Sequence, residues 1–171
     1  MKHQFVLFVV LILGIVASDK AMLAFAQSCG SKSGPFRIKL YWRQGYRWQG
    51  QKSERKWCMQ PSNKYVRIFK CSKSSSQKWI YENCQIKTAN GRKCLTQGSR
   101  SKWLTVESCS GSNRQKWDWI GANSIGGYEI YPKGSKSKCV TQLHHPRKNE
   151  KLFLQRCSTA AKHKTSKWNK Y

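Results

Sequence analysis

Acidic residues are nearly missing from this chain. Seven Asp and Glu stand against 33 Lys and Arg in 171 residues, a formal net charge of +26. Only two of the acids are Asp, namely Asp19 and Asp118. A catalytic set could be assembled from these on paper, but no paired-carboxylate motif, nucleophile motif or metal-ligand spacing supports it. Histidine is scarce too: His144, His145 and His163 follow the N-terminal stretch, and they form no recognisable triad. There is no N-x-[ST] sequon, so N-glycosylation is not expected. No helical stripe of useful length runs anywhere. The one long apolar run, Phe5 to Ala17, is too short to cross a ~30 Å bilayer core as a helix.

That run instead reads as the h-region of a secretory leader over residues 1–26. Lys2 supplies the leading charge, and Ala24-Phe25-Ala26 fits the small-x-small cleavage rule; Ile15-Val16-Ala17 is a second candidate. Removing the leader takes away Lys2, Lys20 and Asp19, so the remainder stays strongly basic. What is abundant is aromatic: 12% of residues, with eight Trp. A disordered polycation lacks such residues, so the chain is expected to fold, with a very basic surface. Its length suits one ordinary domain. Partners are expected to be anionic: acidic or sulfated glycans, phosphate, a mineral surface or lipid head groups.

One stretch occurs three times. It opens on Cys58-Met59-Gln60, Cys94-Leu95-Thr96-Gln97 and Cys139-Val140-Thr141-Gln142. An alternating strand follows, closing on Cys71, Cys109 and Cys157; then come Gln77-Lys78-Trp79, Gln115-Lys116-Trp117 and Ser166-Lys167-Trp168. The closing Cys precedes the Trp by eight residues in the first two copies and by eleven in the third. A period of roughly forty residues, found three times, is an internal repeat. Repeats of about 36–79, 80–117 and 118–168 follow, after a lead-in over 27–35, within one domain over 36–171.

Eight cysteines behind a leader imply disulfides. The repeat suggests Cys58 with Cys71, Cys94 with Cys109 and Cys139 with Cys157, leaving Cys29 to pair with Cys84. Each short loop so closed is worth ~3 kcal/mol in the chain-entropy model. A zinc site on Cys139, His144 and His145 is the competing reading; cysteines in an oxidising compartment are usually paired, which favours the bridge.

Phe36 to Trp42 alternates apolar and basic residues, a strand with one buried face. Gly45 to Arg55 is a polar connection, and an Asn90-Gly91 turn leads into Cys94. About twelve short strands, four per repeat, are expected. Three and five residues before each closing Cys stand Ile68 and Val66, Val106 and Leu104, Leu154 and Leu152, all aliphatic, hence core. The opposite face holds Phe69, Arg67 and Tyr65, then Glu107, Thr105 and Trp103, then Gln155, Phe153 and Lys151, and is expected to face solvent. Trp79, Trp117 and Trp168 recur at one place, which favours a shared core role. A single copy cannot bury its face alone, whereas three around a pseudo-threefold axis can.

Over Phe36 to Trp168 these features resemble the ricin-B-type lectin β-trefoil, the (Gln-x-Trp)3 family. The third copy departs by placing Ser166 where Gln stands. The resemblance implies an all-β trefoil and carbohydrate binding without catalysis or cofactor. It also implies where sugar is held. The family's Asp, two after the opening Cys, is replaced by Gln60, Thr96 and Thr141. The stacking aromatic, two before the closing Cys, is kept only as Phe69; Glu107 and Gln155 fill the other places. The polar residue before Gln-x-Trp is Ser76, Arg114 or Thr165. Gln60, Phe69 and Ser76 therefore form the best-preserved expected pocket, and the second and third copies look structural. Phe69, Tyr65, Trp103 and Phe153 are the rings available for stacking, provided neighbouring loops leave them exposed.

The expected function is thus a secreted, non-catalytic lectin-like protein favouring acidic or sulfated glycans through charge-assisted hydrogen bonds from Lys and Arg. The alternative is a polycationic coat on a non-sugar anionic surface: mineral, nucleic acid or membrane. Clusters such as Lys136-Ser137-Lys138 and Lys162-His163-Lys164 would serve either, and nucleic acid would also stack on exposed rings.

Overall fold

The computed structural model describes residues 29, 32–41, 57–99, 101–121, 127–143, 147–163 and 165–171. The leader expected over 1–26, the polar connection over 45–55, His144, His145 and Lys164 lie outside the described residues. The chain is all-β. Its strands are β1 (Ser33–Leu40), β2 (Trp57–Ser62), β3 (Tyr65–Lys70), β4 (Lys78–Glu82), β5 (Gln85–Thr88), β6 (Lys93–Thr96), β7 (Thr105–Ser108), β8 (Trp117–Gly121), β9 (Tyr128–Pro132), β10 (Lys138–Thr141), β11 (Glu150–Lys151), β12 (Phe153–Arg156) and β13 (Trp168–Lys170). All observed pairings are antiparallel. One continuous path runs β11-β3-β7-β6-β5-β4-β1-β13-β9-β8, with β2 beside β1 and β3, and β10–β12 forms a separate two-stranded sheet.

Three hairpins organise the molecule: β2–β3, β6–β7 and β10–β12. Period-two alternation turns Val66, Leu104 and Leu152 inward, each fully buried. Their backbones close a ring. Val66 N–H donates to Leu104 O at 3.0 Å, Leu104 N–H to Leu152 O at 2.9 Å, and Leu152 N–H to Val66 O at 2.9 Å. The hairpins therefore meet at one point with each giving and receiving one bond. Of the six aliphatics expected inside, five are buried, and Leu154 is only partly so while still packing on the core.

Trp79, Trp117 and Trp168 are fully buried. Each indole N–H reaches the carbonyl one residue past an opening Cys: Met59 O at 3.0 Å, Leu95 O at 2.9 Å and Val140 O at 3.0 Å. A Trp removes ~150–250 Å² from water. At ~25 cal/mol per Å² that is about 4–6 kcal/mol each, an upper bound. The same bond satisfies the ring's only polar atom.

The copies differ in how Gln-x-Trp is anchored. Gln77 donates to Lys70 O and to Gln60 Oε1, both at 3.0 Å, and accepts from Ser72 N–H at 2.7 Å. Gln115 donates to Ser108 O at 2.8 Å and to Thr96 Oγ1 at 3.2 Å, and accepts from Ser110 N–H at 2.8 Å. Ser166 is too short for this. It donates to Glu129 Oε1 at 3.1 Å, and the same carboxylate takes Lys167 Nζ at 2.9 Å and the Tyr131 hydroxyl. Burial opposes ionisation of Glu129. The donors Tyr131, Lys167 and Ser166 outweigh it and hold the carboxyl below its ordinary range.

Among the described residues, the expected absence of helix fails at one place. Residues Cys157–Lys162 form a short helix, α1. It lies in the third copy's longer interval between closing Cys and Trp, where Ala160 and Ala161 favour helix. The expected bridge between Cys139 and Cys157 is also corrected: both are free thiols. Cys157 opens α1. Burial pushes both thiols up, keeping them protonated and poorly nucleophilic. Disulfides join Cys58 to Cys71, Cys94 to Cys109 and Cys29 to Cys84.

Candidate functional site

In the first copy, the register of β2 on β3 sets Gln60 opposite Arg67 and Cys58 opposite Phe69. Gln60, Arg67 and Phe69 thus share one half-buried face. Ser76 is exposed on the 3-10 turn Ser75–Gln77, its hydroxyl 2.8 Å from that of Ser74. The Gln60–Gln77 bond draws β2 and this turn together. Arg67, an unforeseen member, sends Nη1 to Asn149 O at 2.7 Å.

The second copy is closed by its own side chains. Thr96 is buried, donating to Cys94 O at 2.8 Å while accepting from Gln115. Arg114 lies across the place of the stacking ring. Its guanidinium binds Gln97 O at 2.6 Å and pairs with Glu107 at 3.1 Å.

In the third copy Thr141 is buried, its hydroxyl 2.6 Å from that of Thr165, which donates on to Ala160 O at 3.4 Å. Above this pair opens a cavity of about 190 Å³. Gln142, Phe153, Gln155, His163, Thr165 and, from the second copy, Lys102 line it. The cavity is smaller than the ~300–1,000 Å³ clefts that take drug-sized ligands, so it suits a single ring. Gln142 is 1% exposed, and among the described residues neither its Nε2 nor its Oε1 has a partner. Buried amides are nearly always satisfied, and leaving one unpaired costs ~1–3 kcal/mol. Gln142 was not singled out in the sequence. The available signal was its place three residues after Cys139, matching Gln97 after Cys94.

Phe153, expected to face solvent, is 5% exposed. Trp103 forms a β-bridge to it and stands edge-on, ring centres 5.4 Å apart, so the loop of the second copy covers the ring. Trp103 itself remains half-exposed. Lys102 Nζ lies 5.0 Å from the Trp103 ring centre and 4.8 Å from that of Phe153.

The 19%-identical chain of one solved structure matches with a TM-score of 0.57: a non-toxic homologue of type II RIPs from Momordica charantia (bitter gourd), solved in complex with α-methyl-D-galactoside. The two chains share their fold over the matched stretch. The match covers 80% of this chain and 47% of that one, so this protein spans about half the length of its structural neighbour. No protein-family profile matches the sequence, and no curated protein matches it. No helix among the described residues is long and apolar enough to cross a membrane.

Proposed function

We propose that this protein is a secreted, non-catalytic carbohydrate-binding β-trefoil of ricin-B type that favours acidic or sulfated glycans, with its principal sugar site in the third copy. The observation that carries this reading is the unpaired, buried amide of Gln142 lining a ring-sized cavity beside Phe153. An amide offers both a donor and an acceptor, the pattern that adjacent sugar hydroxyls complement. Phe153 and Leu143 supply apolar wall, and Lys102 at the rim supplies positive charge. The galactoside in the solved relative supports the ligand class. Three disulfides agree with an oxidising, extracellular setting.

The experiment is a glycan array at low and high salt, using the native protein beside Gln142→Ala and Phe69→Ala. The reading predicts binding to a defined set of acidic glycans, weakened by salt and by Gln142→Ala. A smaller effect of Phe69→Ala would place the principal site in the third copy rather than the first. Equal competition by every polyanion, with no effect of Gln142→Ala, would instead establish the polycationic coat.

A further inference from the structure

The ring of backbone bonds among Val66, Leu104 and Leu152 has a consequence on the outer side of the same point. The residue before each of these is Tyr65, Trp103 or Lys151. Alternation turns these three outward as their neighbours turn in. Lys151 Nζ stands 4.0 Å from the Tyr65 ring centre and 5.5 Å from that of Trp103. Lys64, exposed in the two-residue turn between β2 and β3, lies 5.4 Å from the Tyr65 ring. Arg67 lies 5.6 Å from that ring on its strand. Lys102 continues the track over Trp103 and Phe153 to the cavity rim.

Among the described residues, no carboxylate pairs with these cations. The ion pairs among the described residues are Lys87–Glu82, Arg114–Glu107 and Lys167–Glu129, all elsewhere. The nearest acid in sequence, Glu150, is committed to the backbone N–H groups of Leu143 at 2.7 Å and Arg147 at 3.1 Å. The result is a band of alternating cations and rings over the meeting point of the three hairpins. Rings held half-open offer faces to sugar C–H surfaces, and the ammonium groups between them offer charge-assisted bonds.

We infer that this apex is a second binding surface, one per molecule, for a linear acidic oligosaccharide whose charged groups fall between the rings of Tyr65 and Trp103. It deepens the carbohydrate reading above and rests on it for ligand class, but uses residues outside the third-copy cavity apart from Lys102. The geometry favours a glycan because the band has rings to stack on as well as charge, and it runs without a break into a ring-sized polar cavity. A chain bound there would lie across the apex with one end at the cavity rim.

The test is calorimetric titration with a sulfated uronic-acid hexasaccharide at several salt concentrations. The native protein is compared with Lys64→Ala/Lys151→Ala and with Lys93→Ala/Lys136→Ala, which removes the same charge from exposed positions elsewhere. The first pair is expected to weaken hexasaccharide binding at least ~10-fold and to lower the slope of log affinity against log salt by about one to two, as expected for two lost ion contacts. The control pair should change affinity less than ~3-fold. Methyl α-D-galactoside and a panel of neutral monosaccharides are titrated alongside. Neutral-sugar binding unchanged in Lys64→Ala/Lys151→Ala but lost in Gln142→Ala separates the apex from the cavity. Loss of neutral-sugar binding from the native protein alone would count against the cavity and leave the apex result standing. Equal losses in the two double variants would overturn the apex, as would a matched-charge oligonucleotide or phosphatidylserine vesicles binding as tightly as the hexasaccharide.

Discussion

Arg114 and Glu107 close on one another across the second copy, Nη2 to Oε1 at 3.1 Å, where the resemblance to ricin-B-type lectins implies a stacking ring. Both side chains are more than 40% exposed, at 42% and 44%. An exposed pair in water contributes ~0–1 kcal/mol. Glu107→Ala is therefore expected to shift the denaturant midpoint by less than ~1 kcal/mol equivalent. Sugar binding should be untouched, because in this copy Arg114 and Glu107 occupy the place of the stacking ring. Neutral-sugar affinity falling in Glu107→Ala would show that the pair supports a working site.

The three Trp donors carry a different weight. Trp117→Ala leaves a large hole in a fully buried position and is expected to cost ~3–5 kcal/mol. Trp117→Phe keeps most of the ring but orphans Leu95 O, which now accepts the indole N–H at 2.9 Å; ~1–3 kcal/mol should be lost. Urea unfolding of the two variants checks the order. If Phe is as damaging as Ala, the packing shape rather than the hydrogen bond governs this position.

Acid should strike the third copy. Glu129 has its carboxyl held below the ordinary value of 4.5, through donors that overcome its burial. A depressed carboxyl contributes stability that is present above the unfolded value and is lost as pH falls through the folded one. Stability of the native protein should therefore drop from about pH 5 downward more steeply than that of Glu129→Gln. At the other extreme, burial and then the charge of Asp118 raise Tyr81 from 10.0 to about 12. That contribution is present below pH 10 and lost as pH rises toward 12. Thermal melts across both limbs, with Tyr81→Phe on the alkaline side, test the assignments.

Cys139 and Cys157 are both free thiols, close enough for each to influence the other's ionisation. Exposure to oxidised glutathione should join them, two thiols giving one disulfide while the glutathione disulfide is reduced to two glutathione thiols. Short-loop closure is worth ~3 kcal/mol, so the oxidised protein should unfold at higher denaturant. Reaction should be slow at neutral pH because burial keeps both thiols protonated. Rapid labelling of native Cys139 by a bulky maleimide would contradict its burial.

The strand faces, the buried Trp set and the repeat were legible because they rest on periodicity: Val66, Leu104 and Leu152 lie at one register and all point in. The cavity was not legible. Its wall combines Phe153 and Gln142 from the third copy with Lys102 from the second, and alternation within one strand says nothing about a neighbour's loop folding over it. Phe153 shows the error in miniature, a ring on a nominally outer face sealed by Trp103. Helix α1 escaped because six residues are too few to show a stripe. The aromatic positions at the apex were visible in the sequence, but that Lys151 stands between Tyr65 and Trp103 needed the three hairpins brought together.

Gln142 offers the sharpest separation of binding from structure. A residue kept for packing loses stability when changed; one kept for a ligand can gain it. Gln142 is buried with both amide atoms unpaired among the described residues, so Gln142→Leu removes two unsatisfied groups at nearly constant volume. The expected outcome is a rise in stability of about 1 kcal/mol or more, with sugar binding in the third copy abolished. Chemical denaturation and sugar titration on the same preparation would read both. Opposite signs assign the amide to ligand recognition. A loss of stability in Gln142→Leu would instead mean that the amide is satisfied within the fold, and the cavity would then have no polar group waiting for a sugar.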